Sequence, residues 1–150
     1  MEEEYCPKDW NLIKKEDYLK YGINENQNLP ILSAWTFNNH FIELVECDNS
    51  ENFMQEVTVE YYGLVSDKES QSQMGIEPRW LFQYNIEGNP VTLTVVQSTT
   101  DNKIFSASVF FNKNGKNYGL NILCAKFPLK EFEYLTSPIC SGIEELIKNI

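Results

Sequence analysis

Nucleophilic catalysis is the first chemistry to consider, because the chain holds four cysteines and one histidine. A reactive thiolate needs a neighbouring base, and the base needs a third group that orients it. His40 is the one imidazole, and Cys47 is the thiol nearest to it in sequence. His40 follows Asn38 and Asn39, which suit a turn, and a histidine beside a turn is more often solvated or hydrogen-bonded than catalytic. We therefore predict no catalytic residues and no enzymatic activity.

Paired carboxylates are a second candidate, since glycosidic hydrolysis needs only two of them on one side of a cleft. Glu43 and Glu46 project to opposite faces of one predicted strand, so they do not form a close pair. The other pairs, Glu131 with Glu133 and Glu144 with Glu145, are typical of solvated helix faces.

Metal, cofactor and phosphate sites leave no recognisable motif in the chain. The stretch DNSENFMQEVTVE begins like a calcium loop but lacks the glycine at the sixth position. No glycine-rich phosphate loop or nucleophile elbow occurs. We predict no metal and no cofactor. The cysteines lack zinc-site spacing and favour reduced thiols in a cytoplasmic protein; they are Cys6, Cys47, Cys124 and Cys140.

The net charge of −10, from 22 acidic and 12 basic residues, excludes several partners. Phosphate backbones and anionic membranes repel such a surface, and Arg79 is the only arginine. Apolar runs are far shorter than the about 20 residues that cross a bilayer, and no export signal is recognisable. The charge favours a basic protein partner, although acidity can also serve solubility alone. We expect a monomer or a weak dimer.

The first half of the chain predicts mixed elements. The spacing of Trp10, Ile13 and Tyr18 suits a short helix that ends at Gly22. ILSAWTF and HFIELVEC flank the two asparagines as a hairpin. The next segment is ambiguous, because Asp48 or Ser50 suits a helix cap while Val57, Val59 and Tyr61 alternate as in a strand. We favour a turn or a single helical turn, followed by a strand over residues 55–64.

Residues 66–78, SDKESQSQMGIEP, are polar and have neither a helix nor a strand period. They predict a mobile surface loop.

From Arg79 onward the pattern indicates an antiparallel meander of about four strands, because short polar links join runs rich in β-branched and aromatic residues. The runs are RWLFQYNI, VTLTVVQS, KIFSASVFF and YGLNILCAK. The last two form a hairpin about residues 112–117, where Gly115 suits a positive φ. Its lysines, Lys113 and Lys116, discourage stray strand pairing.

The chain ends in a predicted helix that starts at Ser137 and Pro138. Its apolar stripe must be buried, and the sheet offers the surface. The stripe comprises Ile139, Ile143, Leu146, Ile147 and Ile150. The sequence thus predicts one α+β domain over residues 1–150. We expect an antiparallel sheet, built from the N-terminal hairpin and the meander, under a C-terminal helix and a short N-terminal helix.

This order of elements resembles the PsbP and DcrB type of α+β sandwich. The residues that carry the resemblance are NGKNYGLNILC, leading through FPLKEFEYL to ICSGIEELI, where such proteins have a late strand and then a helix that closes the sheet. The resemblance implies a non-enzymatic assembly or binding factor and carries over no functional residues.

Three functions stay open at this stage. We favour a protein-binding module, such as a small acidic immunity protein that neutralises a basic toxin domain, or an assembly factor. The alternative is a small-molecule binder with an aromatic-lined pocket between helix and sheet. An enzyme with dispersed residues is the third, since such sites leave no motif. The predicted binding residues, on or beside the polar loop and the open sheet face, are Tyr61, Tyr62, Met74, Arg79 and Trp80.

Overall fold

The computed structural model describes residues 5–22, 31–38, 40–101, 104–125 and 138–150. Its centre is one antiparallel sheet of seven strands in the order β1-β2-β3-β7-β6-β5-β4. The strands are β1 (Asn11–Leu12), β2 (Ile31–Phe37), β3 (His40–Glu46), β4 (Ile76–Ile86), β5 (Asn89–Ser98), β6 (Ile104–Lys113) and β7 (Lys116–Ala125). In the described ranges three α-helices accompany them: α1 (Phe53–Ser66), α2 (Lys68–Met74) and α3 (Pro138–Asn149).

The predicted α+β architecture is confirmed for the hairpin, the meander and the last helix. β2 and β3 form the hairpin, and Asn38 takes a φ of 47° in its turn. β4 to β7 form the four-stranded meander. Pairing of β3 with β7, from His40 opposite Cys124 to Glu46 opposite Tyr118, joins the two parts into one sheet.

The main core lies between α3 and one face of the sheet, here called the α3 face. Alternate residues of each central strand are buried there, as the side-chain period of two in a strand requires. From the sheet these are Ile42, Leu44, Val91, Leu93, Val95, Phe105, Ala107, Val109, Phe111, Leu120 and Ile122. The helix contributes Ile139, Ile143, Leu146 and Ile147, with Ile150 partly buried beside them. Ser137, the predicted cap, lies outside the described residues.

The N-terminal segment closes the core around Trp10. Its indole lies edge-on to Trp35, with ring centroids 5.7 Å apart. A Cβ atom at Gly142 of α3 would lie 2.4 Å from Trp10 Nε1, so only glycine permits this approach. Glu145 of α3 accepts hydrogen bonds from the Tyr5 hydroxyl at 2.5 Å and the Lys8 backbone N–H at 3.2 Å. Glu145 therefore links the N-terminal segment to α3, and the prediction of a purely solvated carboxylate was wrong.

The predicted N-terminal helix was wrong in type. Residues 11–12 pair with β2, and the chain then makes two short 3₁₀ turns, Lys15–Asp17 and Leu19–Tyr21. Gly22, with a φ of 76°, ends them as predicted. Tertiary packing explains why no α-helix forms here. The chain crosses the edge of the sheet, and Ile13 and Tyr18 then pack with Ala34 on the face opposite the α3 face.

The strand over residues 55–64 and the loop over residues 66–78 were also wrong. Residues 53–66 form α1, whose inward side carries Phe53, Val57 and Leu64 at helical spacing. α2 follows, because the Asp67 carboxylate accepts hydrogen bonds from the Ser70 N–H and hydroxyl, at 3.0 and 2.7 Å. Gly75, with a φ of 67°, ends α2.

α1 packs on the opposite face over β4, β5 and β6. Phe53 makes an edge-on ring contact with Phe110, and Gln83 donates to the Thr58 hydroxyl at 3.0 Å. Thr92 and Thr94 are consequently buried under this layer.

The hairpin of β6 and β7 turns at Asn114 and Gly115, which take φ values of 54° and 78°. Such angles match the right-handed strand twist. Lys113 Nζ donates to the carbonyl of Ile147 at 2.5 Å, which places a cation at the C-terminal end of α3. The hairpin is thus part of the architecture, as predicted.

Replacing Gly142 by Ala should destabilise the fold by about 1–3 kcal/mol, since the new methyl group overlaps the Trp10 ring. Gly63→Ala is the matched control, because no atom lies within 4 Å of its Cβ position in α1. The control should stabilise by about 0.5–1 kcal/mol through helix propensity. Urea unfolding of both variants measures these changes, and equal effects would contradict the close packing at Gly142.

Candidate functional site

The outward side of α1 and α2, together with Arg79 of β4, forms the surface here called the α1–α2 surface. Val59 and Tyr62 stand three residues apart, on one side of the helix, with exposed fractions of 63% and 55%. Met74, at the end of α2, is 62% exposed. Val57 is the one buried hydrophobic residue of α1, and the side chains of Val59 and Tyr62 are left exposed.

Tyr61 and Tyr62 were predicted on a strand, and the structure places them in helix α1 instead. Adjacent helical residues differ by about 100° in direction, since a turn takes 3.6 residues. Tyr61 accordingly turns half inward while Tyr62 stays outside, and their rings meet edge-on at 5.7 Å. Burial raises the pKa of Tyr61, Tyr62 raises it further, and the charge of Arg79 lowers it. Three of the five predicted residues are therefore neighbours.

Arg79 and Trp80 lie at a bulge in the edge strand β4. Pro78 pairs with Val96 and Trp80 with Val95, which leaves Arg79 without a partner across the ladder. The guanidinium lies 5.8 Å from the centre of the Trp80 ring and 3.6 Å from the Glu77 carboxylate. Trp80 itself packs against the core. Arg79 is thus exposed at the site, whereas the Trp80 side chain is partly buried against the core.

α2 is held to α1 by a buried glutamine. Gln71 Nε2 donates to the carbonyls of Leu64 and Val65, at 2.7 and 3.2 Å. These carbonyls belong to the last turn of α1, where the Leu64 carbonyl also accepts the Asp67 N–H at 3.1 Å, so Gln71 adds a further donor at the helix end. The α1–α2 surface is therefore a fixed platform rather than the mobile loop that was predicted.

Acidic groups surround this platform. Between residues 48 and 77 the chain has seven acidic residues and one lysine, Lys68. Glu56 and Glu60, with Val59, line an open groove of about 440 Å³ along α1. Sequence reasoning missed Val59, Glu56 and Glu60 as site residues, because an exposed valine on a helix was taken as one position of an alternating strand.

The predicted pocket between helix and sheet is filled in the described part of the chain. The residues of α3 that face the sheet are buried, and Gly142 is in close contact with Trp10. A ligand there would have no room among these side chains.

His40 and Cys47 lie at opposite ends of β3, about 23 Å apart by strand geometry. They cannot form a catalytic pair. Of the two alternatives expected for His40, solvated or hydrogen-bonded, the structure contradicts the solvated one: the residue is 1% exposed and packs near Phe37, and burial lowers its pKa to about 4. Burial raises the pKa of the Cys47 thiol, which disfavours the reactive thiolate.

Metal and membrane features were also sought in the described ranges. Within them, no three His, Cys, Asp or Glu residues are grouped so that they could hold a metal ion. None of the described helices is long and apolar enough to cross a membrane.

Comparison with known proteins shows a similarity of fold. No protein-family model matches the sequence, and no curated protein matches it. The solution structure of cyanobacterial PsbP (CyanoP) from Synechocystis sp. PCC 6803 is similar to this chain, with a TM-score of 0.56. The alignment covers 91% of this chain and 80% of CyanoP at 9% sequence identity. The fold is PsbP-like.

The PsbP-like fold confirms the resemblance that the late hairpin and the last helix indicated. The quoted stretches correspond to β7 and α3, while residues 127–135 lie outside the described ranges. At 9% identity the similarity concerns the fold alone, so it transfers no site residue.

The buried His40 should make stability depend on pH. Its pKa is about 4 in the folded protein and ordinarily 6.5, so the unfolded state binds the proton first. Its contribution is complete above pH 6.5 and is lost between pH 6.5 and 4, to a total of about 3 kcal/mol. Urea unfolding at stepped pH should show this slope, and His40→Gln should flatten it. The same slope in both proteins would assign the effect to carboxylates.

Proposed function

We propose that this protein is a non-enzymatic protein-binding module, of the immunity-protein or assembly-factor kind, whose α1–α2 surface binds a basic partner. The observation that carries the proposal is the exposed pair Val59 and Tyr62 inside an acidic surround. Interface centres need apolar and aromatic side chains, of which tyrosine is among the commonest hot-spot residues. The cytoplasmic location that the cysteines favour stays a prediction.

The negative charge around the α1–α2 surface indicates that its partner is basic. The segment from residue 48 to 77 holds more than half of the excess of negative charge in the chain. A basic surface would be attracted to it during encounter, and mismatched acidic proteins would be repelled. Lys68 and Arg79 are the cations of this surface, and the Arg79 guanidinium, already close to Glu77, offers hydrogen-bond donors to an acceptor of the partner.

The platform is suited to binding because its backbone is fixed while Val59, Tyr62 and Met74 are exposed on its outer side. Gln71 and Asp67 secure the ends of the two helices, and Thr58 and Phe53 attach α1 to the sheet. A partner would therefore meet a preorganised helix face, which lowers the entropy lost on binding.

Reversing charge at Glu56 and Glu60 should abolish partner capture. We expect wild-type protein, immobilised and exposed to lysate of the native cells at moderate salt, to retain a basic protein. Glu56→Lys with Glu60→Lys should reduce that retention at least about tenfold, because attraction becomes repulsion. Glu16→Lys with Asp17→Lys changes the total charge equally at the other end of the sheet and should retain the partner.

A matched pair of alanine variants tests the apolar contact at Tyr62. Tyr62→Ala should weaken retention about tenfold or more, as truncation of a hot-spot residue does. Leu19→Ala removes a side chain that is 88% exposed on the N-terminal turns, and it should have no effect. Quantitative mass spectrometry of the retained proteins gives the readout. Recovery of no basic protein, or equal loss with both members of either pair, would refute the proposed function.

A further inference from the structure

A second concave region lies on the opposite face of the sheet, away from the α1–α2 surface. Its floor is formed by β3, β7 and β6, and one wall is formed by Tyr21 and Gly22 of the N-terminal turns. Its volume is about 600 Å³, within the range of small-molecule sites. We refer to it as the β3–β7 cleft.

Strand register divides the floor of this cleft into two rows. Glu43 lies opposite Asn121, and Asn121 lies opposite Ser108, which makes one polar row across three strands. The next row on the same face has Phe41 opposite Leu123, followed by Ser106. Neighbours across strands have Cβ atoms about 5 Å apart, so each row is continuous. The cleft is polar along one line and apolar along the adjacent one.

Glu43 is the charged group of the polar row. Its side chain is half-buried, and the Asn121 amide donates a hydrogen bond toward the carboxylate. Burial removes part of the hydration of the carboxylate and so raises the pKa of Glu43. In the described ranges, no lysine or arginine makes a salt bridge with it. A partly desolvated carboxylate of this kind is stabilised by a cation brought from outside.

The apolar row supplies the second contact. Leu123 is 51% exposed, although its strand lies in the middle of the sheet. Phe41 is half-buried beside it, and Tyr21 is exposed at the wall. Apolar side chains at a concave, central position of a sheet are matched by an apolar group of a ligand.

We propose that the β3–β7 cleft binds a small organic cation, with its ammonium group on Glu43 and Asn121 and its aromatic or branched apolar group on Phe41 and Leu123. Residues two positions apart on a strand are about 7 Å apart, so a short methylene linker spans the rows. An arylalkylamine has this shape. The proposal is independent of partner binding at the α1–α2 surface.

The test uses 3-phenylpropylamine as the probe, titrated to about 10 mM against ¹⁵N-labelled protein, a range that detects weak fragment binding. We expect saturable shifts of the backbone amides of Glu43, Asn121 and Leu123. The neutral 3-phenylpropanol should bind more weakly, and the anionic 4-phenylbutanoate should cause no saturable shift. Propylamine, which lacks the ring, should also bind more weakly.

Variants separate the two contacts. Glu43→Gln should weaken the amine at least about tenfold and leave the alcohol unchanged, because a charge-assisted bond is lost. Glu46→Gln removes the same charge from the same strand but from a side chain salt-bridged to Lys116, and it should have no effect. Leu123→Ser should weaken amine and alcohol alike. Unperturbed amide spectra confirm folding. No saturable shift with the amine, equal shifts with amine and anion, or insensitivity to Glu43→Gln would each overturn the proposal.

Discussion

The pairing of β3 with β7 is the interaction on which the rest of the structure depends. More than seventy residues separate Glu46 from Tyr118 in sequence, yet the two strands pair along the whole of β3. This pairing sets Ile42 beside Ile122 and Leu44 beside Leu120, so the hairpin and the meander present one continuous apolar face. α3 buries its apolar stripe against this continuous face, whose buried residues come from both the hairpin and the meander. The same register brings Glu43 to Asn121 on the other side. The core and the β3–β7 cleft thus lie on opposite faces of the sheet, and both depend on the same long-range strand pairing.

The two faces of the sheet are covered in different ways, and this difference creates the candidate sites. On the α3 face, a single helix and Trp10 form a dry layer with little free volume. On the opposite face the N-terminal turns cover β2, and α1 covers β4 to β6. The strands between them keep polar side chains such as Asn121 and Ser108. Because Val57 is the one buried hydrophobic residue of α1, folding places little constraint on the side chains of its outer side. Solubility alone would favour polar residues at positions 59 and 62, where Val59 and Tyr62 are exposed.

The sequence predicted the elements whose local pattern has one meaning. The alternation of Val91, Leu93 and Val95 fits only a strand, and the spacing of Ile139, Ile143 and Leu146 fits only a helix. Residues 53–64 were misjudged because Val57, Val59 and Tyr61 alternate while Phe53, Val57 and Leu64 also fit a helix. Only tertiary packing distinguishes these patterns, by burying Val57 and exposing Val59. α2 has no apolar period, but Asp67 and Gly75 carried the signals of a cap and a stop. The β3–β7 cleft was beyond prediction, since no local pattern encodes which strand lies beside β3.

The location of the acidic charge follows from the same asymmetry. β3 and β4 are at different places in the sheet, so the chain between them must cross over the opposite face, and α1 and α2 make that crossing. A crossover attached by Phe53, Thr58 and Gln71 needs little apolar surface of its own. Its remaining positions are free to vary without loss of the fold. This one segment carries most of the excess negative charge of the chain. It also carries the exposed residues Val59 and Tyr62 of α1. Function is therefore best sought where the fold imposes the weakest constraint on side-chain choice, and that place is the α1–α2 surface.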